Sequence, residues 1–223
     1  TNLSLDTDSF EAVWKSAAEQ AEISEKNRKL ASELARDLAD AGMFKLFVPA
    51  EIGGLELAPV EGNRLIYELA THDASSAWVS MIGSTAALGA AFIAPDISAD
   101  MFAAPSRITC GIFAPNGRAE QDGDTYRVSG RWAWASGSAN ADYIGLGCLE
   151  VDAKGAPLPD RPPRLVMVPR EKITFHDNWY TIGLCGTSSG DVELDNVEIP
   201  VAHSYTIAAQ KPWSGSALYK MPY

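Results

Sequence analysis

The sequence predicts an α+β protein, in which an N-terminal all-α helical domain over residues 1–104 precedes a small antiparallel β-barrel or sandwich over residues 105–207. In the first part apolar side chains recur at helical spacing, whereas after Pro105 they fall into short alternating runs divided by turn residues. With 223 residues, 46% of them hydrophobic, the chain is long enough to bury the cores of two modest domains. Residues 208–223 show neither pattern and are predicted to be a linker.

The first predicted helix is amphipathic, with charged residues between apolar ones. Its apolar positions are Ile23, Leu30, Leu34, Leu38 and Ala41. Ser24 is predicted to cap its N-terminus, because a serine hydroxyl accepts a hydrogen bond from a free backbone N–H group there. Gly42 is predicted to end it in the left-handed conformation, which glycine adopts without steric cost.

Two further helices are predicted, from Pro59 to about Thr71 and from Ser75 to Ile93, with Asp73 as a helix cap between them. The stretch Ala74–Pro95 carries no charged residue over 22 positions, a length that could span a bilayer. It is rich in Ala, Ser, Thr and Gly, is bordered by aspartates and lacks flanking Lys or Arg. A buried helix is therefore predicted rather than a membrane span.

Alternating apolar and polar residues predict six strands in the second part of the chain. The strands are Arg107–Phe113, Thr125–Val128, Arg131–Ala135, Tyr143–Leu149, Arg164–Val168 and Val192–Ile199. Turn signals such as Asp122-Gly123 and Pro162-Pro163 divide them, and this spacing is typical of a small antiparallel barrel or sandwich.

Charge and cysteine usage exclude several classes of function. Eighteen Lys and Arg against 29 Asp and Glu give a formal net charge of -11, and the cations are scattered, so no nucleic-acid or membrane partner is predicted. Cys110, Cys148 and Cys185 are widely spaced, which predicts buried apolar side chains, no metal site and a reducing, cytoplasmic location. His176 and His203 are predicted to be loop or strand-end residues, since neither has a suitably placed Ser or Cys partner.

Two segments resemble the middle β-domain of the acyl-CoA dehydrogenase superfamily, which holds a flavin. They are Tyr126–Gly137, YRVSGRWAWASG, and Gly183–Pro200, GLCGTSSGDVELDNVEIP. Members of the superfamily continue into a C-terminal helical bundle, which carries the catalytic carboxylate of the dehydrogenases and builds much of a tetramer core. The resemblance implies a homo-oligomer, a dimer of dimers, and a chain that is a fragment or truncated form of this longer architecture.

Two departures from the dehydrogenase pattern favour the monooxygenase branch. The Thr-Glu-Pro segment typical of dehydrogenases is replaced by CGIFAPNGRAE at Cys110–Glu120, and GRWAWASG at Gly130–Gly137 is similar to two-component aromatic hydroxylases, as is DASSAWV at Asp73–Val79. The resemblance implies that reduced FAD or FMN from a separate flavin reductase activates O2, which hydroxylates an aromatic or related small substrate. Two alternatives stay open: an FAD-dependent acyl-CoA dehydrogenase, and a non-catalytic truncated member.

The resemblance also implies which residues contact the flavin. Trp134 would pack beside the ring, and Ser136 would be the catalytic hydroxyl that hydrogen-bonds the reactive ring nitrogen and limits loss of hydrogen peroxide. Strand alternation would place Trp132, Trp134 and Ser136 on one face, with Trp132 in the strand core. Backbone groups of three residues would meet the pyrimidine side of the ring, namely Phe113, Ala114 and Asn116.

Further candidates lie in the glycine-rich segment and near the helix junction. Thr187, Ser188 and Ser189 could bind flavin phosphate from a neighbouring chain, and a plain structural turn is at least as compatible with the glycines. His72 and Trp78 are predicted to line the substrate pocket.

Overall fold

The computed structural model describes residues 7–104, 106–206 and 209–220. Within these ranges five α-helices precede seven β-strands, which confirms the predicted α+β class. The helices are α1 (Thr7–Asn27), α2 (Ser32–Asp40), α3 (Pro59–His72), α4 (Ala74–Ala86) and α5 (Pro95–Ser98). The strands are β1 (Thr109–Asp122), β2 (Thr125–Trp132), β3 (Tyr143–Val151), β4 (Arg164–Pro169), β5 (Thr174–Phe175), β6 (Val192–Pro200) and β7 (Ser204–Tyr205).

The single helix predicted over Ile23–Ala41 is wrong, because the chain forms α1 and α2 with a break between them. Arg28 takes a left-handed conformation in the break, with φ 54°, which ends α1. Ser24 is therefore not an N-cap. It lies in the last turn of α1, where its Oγ accepts a hydrogen bond from the Ala31 N–H at 3.3 Å. Gly42 follows α2 with φ 86°, as predicted.

The next two helices begin within one residue of their predicted starts, and Asp73 caps α4. Its carboxylate accepts hydrogen bonds from the backbone N–H groups of Ser75 at 3.3 Å and Ser76 at 2.8 Å. α4 ends at Ala86, earlier than predicted, and the uncharged stretch continues as a 3-10 helix over Ala87–Ala91. Among the described residues, no helix has both the length and the apolarity needed to cross a membrane.

The seven described strands form one open sheet in the order β5-β6-β2-β1-β3-β4-β7. Neighbouring strands pair antiparallel except β1 and β3, which run parallel. The sheet is thus open and mixed, whereas the turn spacing predicted a small antiparallel barrel or sandwich. Turn signals identify hairpins, whereas they do not determine how strands distant in sequence pair.

The strands predicted as Thr125–Val128 and Arg131–Ala135 are one strand, β2, which ends at Trp132. The Trp132 ring is fully buried, and its Nε1 donates a hydrogen bond to the Gly147 carbonyl oxygen at 2.7 Å. A Cβ atom on Gly117 of β1 would overlap this ring, so the glycine lets β1 pass close to the indole. The predicted core role of Trp132 is confirmed. Because Trp132 is the last residue of β2, its burial fixes the position at which the following turn begins.

One hydrophobic cluster joins the helices to the sheet. The segment 209–220, predicted to be part of a linker, packs on the helical part. Trp213 Nε1 donates a hydrogen bond to the Ala90 carbonyl oxygen at 2.9 Å, and the Tyr219 hydroxyl donates to the Phe47 carbonyl oxygen at 3.0 Å. The described residues of this segment therefore extend the core.

The division into domains at residues 104 and 207 stays a prediction. Parts of it fall outside the described residues, namely residues 1–6, Pro105, residues 207–208 and residues 221–223.

Candidate functional site

The segment after β2 turns sharply beside the glycine-rich loop. Trp134 has φ 63°, and the Ser136 N–H donates a hydrogen bond to the Trp134 carbonyl oxygen at 2.8 Å, which closes a tight turn. The Gly137 N–H donates to the Thr187 carbonyl oxygen at 2.8 Å. The turn is therefore held by a loop distant in sequence and not by a strand ladder.

Strand alternation does not apply in this turn, so the prediction that Trp132, Trp134 and Ser136 share one strand face is wrong. Trp132 is fully buried in the core, whereas Trp134 is 73% exposed and Ser136 is 6% exposed. The physical reason is that β2 ends at Trp132 and the left-handed Trp134 redirects the chain. Trp134 and Ser136 nevertheless line one cavity together.

This cavity, termed the indole cavity, has a volume of about 290 Å³ and a mostly apolar lining. Its walls come from α4, from the turn after β2 and from the loop between β5 and β6. The lining residues are Trp78, Trp134, Ser136, Trp179, Leu184, Thr187 and Ser189. Three indole rings and one leucine offer flat apolar surface, and three hydroxyl groups supply polar atoms. Such a lining suits a flat aromatic ligand with a polar edge.

The polar atoms of the indole cavity form a continuous chain of hydrogen bonds, termed the hydroxyl row. Trp78 Nε1 donates to Ser136 Oγ at 3.0 Å, and Ser136 Oγ lies 2.7 Å from Ser189 Oγ. Ser189 Oγ lies 2.6 Å from Thr187 Oγ1, which donates to the Leu184 carbonyl oxygen at 2.8 Å. The three hydroxyl-bearing residues are buried, so these bonds form without competition from bulk water.

The loop between β5 and β6 takes a defined shape around the Leu184 carbonyl group. Leu184 and Ser188 are left-handed, with φ of 56° and 49°. Besides Thr187 Oγ1, the Leu184 carbonyl oxygen accepts a hydrogen bond from Trp179 Nε1 at 3.0 Å, which orients this indole at the cavity wall. Trp179 and Leu184 were not among the site residues predicted from the sequence. The available signal was a tryptophan five residues before Leu184 in a glycine-rich segment.

Arg28 ties this loop to the end of α1. Its Nη2 donates a hydrogen bond to Asp177 Oδ2 at 2.8 Å, and its Nη1 donates to the Trp179 carbonyl oxygen at 3.2 Å. Its guanidinium also lies 4.0 Å from the centroid of the Tyr180 ring. The hydrogen bond from Arg28 lowers the pKa of Asp177. The residue that ends α1 therefore helps to position a wall of the indole cavity.

Glu25 holds the glycine-rich end of the same loop. Its Oε1 accepts hydrogen bonds from the Ser75 hydroxyl at 2.7 Å and from the Gly186 N–H at 3.2 Å. Burial raises the pKa of Glu25, but the hydrogen bonds from Ser75, Gly186 and Cys185 outweigh it and leave the pKa below its ordinary value of 4.5. The ionised carboxylate thus links α1, α4 and the loop.

Several residues predicted to contact a ligand lie apart from the indole cavity. Phe113, Ala114 and Asn116 are exposed on β1, where its pairing with β3 is irregular. His72 is exposed at the end of α3. None of these four is among the described residues that line the indole cavity, whereas Trp78 is one of them.

Ser188 lines a second cavity, of about 300 Å³, together with Arg28 and Arg170. Thr187 lines the indole cavity, so the two neighbouring hydroxyl residues belong to different cavities. Trp179 lines both cavities and forms part of the wall between them.

The cysteines and histidines lie outside the hydroxyl row. Burial raises the pKa of Cys110 and of Cys148 to about 12, so both are protonated thiols at neutral pH. His176 follows β5, with Nε2 2.8 Å from Glu193 Oε2, and His203 ends a 3-10 helix between β6 and β7. The part of the chain that the structure describes contains no group of three or more His, Cys, Asp or Glu residues that could hold a metal ion.

Comparison with known proteins shows similarity over most of the chain. Residues 8–94 match the family "Acyl-CoA dehydrogenase, N-terminal domain". The chain is 31% identical over 194 residues to a pigment production hydroxylase of Rhodococcus sp., a match that covers 86% of this chain and 49% of the relative. It is 35% identical over 193 residues to the FADH(2)-dependent resorcinol hydroxylase, oxygenase component, of Rhizobium sp., covering 84% of this chain and 45% of the relative.

A solved structure matches the complete chain. The crystal structure of 3-HSA hydroxylase from Rhodococcus sp. RHA1 superposes with a TM-score of 0.88 at 25% identity, covering 100% of this chain and 60% of that protein. The chain spans about half the length of the curated relatives it matches. Its helices followed by an open sheet, the matched N-terminal domain and this superposition together place the chain in the acyl-CoA dehydrogenase superfamily, beside relatives named as flavin-dependent monooxygenases.

Proposed function

We propose that this chain is the flavin-holding part of an oxygenase component that uses reduced flavin and O2 to hydroxylate an aromatic or related small substrate. The observation that carries the proposal is the indole cavity, which three indoles line together with Ser136, whose hydroxyl accepts a hydrogen bond from one of them, Trp78. The names of the matched relatives support the reaction class, since both are hydroxylases and one is FADH(2)-dependent. The same names favour this reaction over acyl-CoA dehydrogenation.

The lining of the indole cavity fits a flavin ring. An isoalloxazine ring is flat, and it needs apolar surface against its faces and hydrogen bonds at its polar edge. Trp78, Trp134 and Trp179 supply the apolar surface, and the high exposure of Trp134 leaves its ring free to stack. Ser136 supplies a buried hydroxyl at the same cavity.

Ser136 is the catalytic residue of this proposal. When bound, reduced flavin supplies the electrons that activate O2, so that one oxygen atom can pass to the substrate. The Ser136 hydroxyl would hold the reactive ring nitrogen, while the indole walls exclude water from this edge. A hydrogen bond at that nitrogen would slow the loss of oxygen as hydrogen peroxide.

The other proposed contacts with the flavin and the substrate are assigned from where the residues lie in the fold. Phe113, Ala114 and Asn116 are exposed residues of β1, and their backbone groups would meet the pyrimidine side of a ring that extends beyond the cavity. His72 and Trp78, which flank the junction of α3 and α4, would line the substrate side.

For flavin phosphate, Ser188 is better placed than Thr187. Ser188 shares the second cavity with the guanidinium groups of Arg28 and Arg170, which suit a phosphate. The Thr187 hydroxyl donates to the Leu184 carbonyl oxygen, so its proton is already committed.

Partners and assembly follow the same family pattern. The Rhizobium relative is named an oxygenase component, and we propose a separate flavin reductase as the source of reduced FAD or FMN for this protein too. We also propose a homo-oligomer, a dimer of dimers, and a cytoplasmic location.

Anaerobic titration of the intact protein with reduced FAD and with reduced FMN tests the proposal. We expect saturable binding of at least one reduced flavin and, after addition of O2, a flavin reductase and candidate phenols, a hydroxylated product. An acyl-CoA dehydrogenase would instead purify with tightly bound FAD and reduce it with an acyl-CoA. A protein that binds no reduced flavin would contradict the proposal and favour a non-catalytic family member.

A further inference from the structure

The hydroxyl row offers as many protons as it has contacts between oxygen atoms. The three contacts, Ser136 to Ser189, Ser189 to Thr187 and Thr187 to the Leu184 carbonyl, are 2.7, 2.6 and 2.8 Å long. Each needs one proton between its oxygens, because two lone pairs at this separation repel each other. Three hydroxyl groups provide three protons, so every proton is committed to one contact.

The Leu184 carbonyl group sets the direction of the row, because it carries no proton and can only accept. Thr187 therefore donates to Leu184, Ser189 donates to Thr187, and Ser136 donates to Ser189. At the other end, the Trp78 indole N–H can only donate, and its partner is Ser136 Oγ at 3.0 Å. One arrangement of protons satisfies all four bonds.

This arrangement decides how Ser136 meets a ligand in the indole cavity. Its proton is directed to Ser189, and one of its two lone pairs accepts the Trp78 N–H. Counting the contacts of the described residues, the remaining lone pair is the only hydrogen-bonding capacity left on the Ser136 hydroxyl. Towards the cavity, Ser136 is therefore an acceptor, which matches a ligand N–H group and opposes a ligand nitrogen lone pair.

A flavin presents these two alternatives in its two redox states, since its central nitrogen N5 carries a hydrogen when reduced and only a lone pair when oxidised. We propose that Thr187 and Ser189 are positioning residues that keep the Ser136 hydroxyl an acceptor, so that the site prefers reduced over oxidised flavin. This inference rests on the proposed function and names a determinant of redox-state specificity within it. The dissociation constant of oxidised flavin would then be larger than that of reduced flavin.

Thr187→Val tests the far end of the hydroxyl row, because valine keeps the branched shape and removes the hydroxyl. Ser189 then loses its acceptor and can donate to Ser136, whose own proton becomes free to turn into the indole cavity. Dissociation constants for oxidised and reduced FAD and FMN are measured anaerobically on the intact protein. We expect the ratio of the oxidised to the reduced constant to fall about five- to tenfold, the effect of one hydrogen bond gained or lost.

Thr187→Ser is the matched control, because it keeps the terminal hydroxyl and should keep the wild-type ratio. Ser189→Ala interrupts the row one step nearer to the ligand and should lower the ratio as Thr187→Val does. It provides the same test if valine at position 187 disturbs the loop. A loss of loop structure alone would weaken both redox states together and leave the ratio unchanged.

The outcomes separate this inference from the proposed function. Suppose that reduced flavin binds the wild type, Thr187→Val and Ser189→Ala, and that the ratio of the oxidised to the reduced dissociation constant is the same in all three. The positioning role is then overturned and the proposed function stands. If the wild-type protein binds flavin in neither redox state, both are overturned.

Discussion

Trp78 and Ser136 are joined by a hydrogen bond of 3.0 Å from the indole Nε1 to the hydroxyl Oγ, although they lie 58 residues apart in the sequence. Trp78 belongs to α4 and Ser136 to the turn after β2, so this bond connects the helices to the end of the sheet at the indole cavity. Because an indole N–H can only donate, the bond occupies one lone pair of Ser136 and helps to fix its orientation. The candidate catalytic hydroxyl is thus held by both parts of the fold.

Ser136→Ala is expected to uncouple oxygen activation from hydroxylation. Without the hydroxyl, the ring nitrogen loses its partner, so hydrogen peroxide released per NADH consumed should rise roughly two- to tenfold in an assay coupled to a flavin reductase. Ser84→Ala is the matched control, because Ser84 is also a buried serine, lies in α4 and lines neither the indole cavity nor the second cavity. Unchanged peroxide release in Ser136→Ala would remove this residue from the mechanism.

Asp73→Ala is expected to destabilise the protein by about 1–2 kcal/mol, the usual cost of losing a helix cap. The Asp73 carboxylate accepts two backbone N–H groups of α4 and is buried. Urea unfolding followed by circular dichroism measures the difference. Asp96→Ala is the control, because Asp96 is exposed in the first turn of α5 and should change stability by less than about 0.5 kcal/mol. Equal effects of the two substitutions would show that the cap contributes nothing.

Much of the fold follows from local patterns. Pro59 and Asp73 mark the starts of α3 and α4 because a ring-fixed φ and a capping carboxylate act within one helical turn. β3, β4 and β6 were predicted to within about two residues, because their apolar residues are bounded by turn signals. Both kinds of signal depend only on neighbours in the sequence.

The features that escaped prediction depend on distant contacts. Arg28 ends α1 in a left-handed conformation while it pairs with Asp177, 149 residues later. The turn at Trp134 is held by a bond from Gly137 to the Thr187 carbonyl group. No local pattern encodes such partners, so the helix break and the end of β2 could not be found from periodicity.

The link between α1 and the loop is expected to depend on pH through Glu25. Because hydrogen bonds hold its native pKa below 4.5, its ionised form stabilises the fold fully above that pH, and this stabilisation is lost as the pH falls through the native pKa. Glu25→Gln should therefore lower the free energy of unfolding by roughly 0.5–1.5 kcal/mol at neutral pH, and the difference from the wild type should shrink in acid. Glu22→Gln, at an exposed position of α1, is the control. A difference that stays constant into the acid range would contradict this role of Glu25.

The most direct test of flavin binding in the indole cavity is the affinity of Trp134→Ala for reduced flavin, measured anaerobically against the wild type. Tyr67→Ala is the matched control, because Tyr67 on α3 is 71% exposed and Trp134 is 73% exposed, while only Trp134 lines the indole cavity. Loss of the stacked indole should raise the dissociation constant about tenfold, and Tyr67→Ala should leave it unchanged. Equal affinities of Trp134→Ala and the wild type would contradict the assignment of this cavity to the flavin.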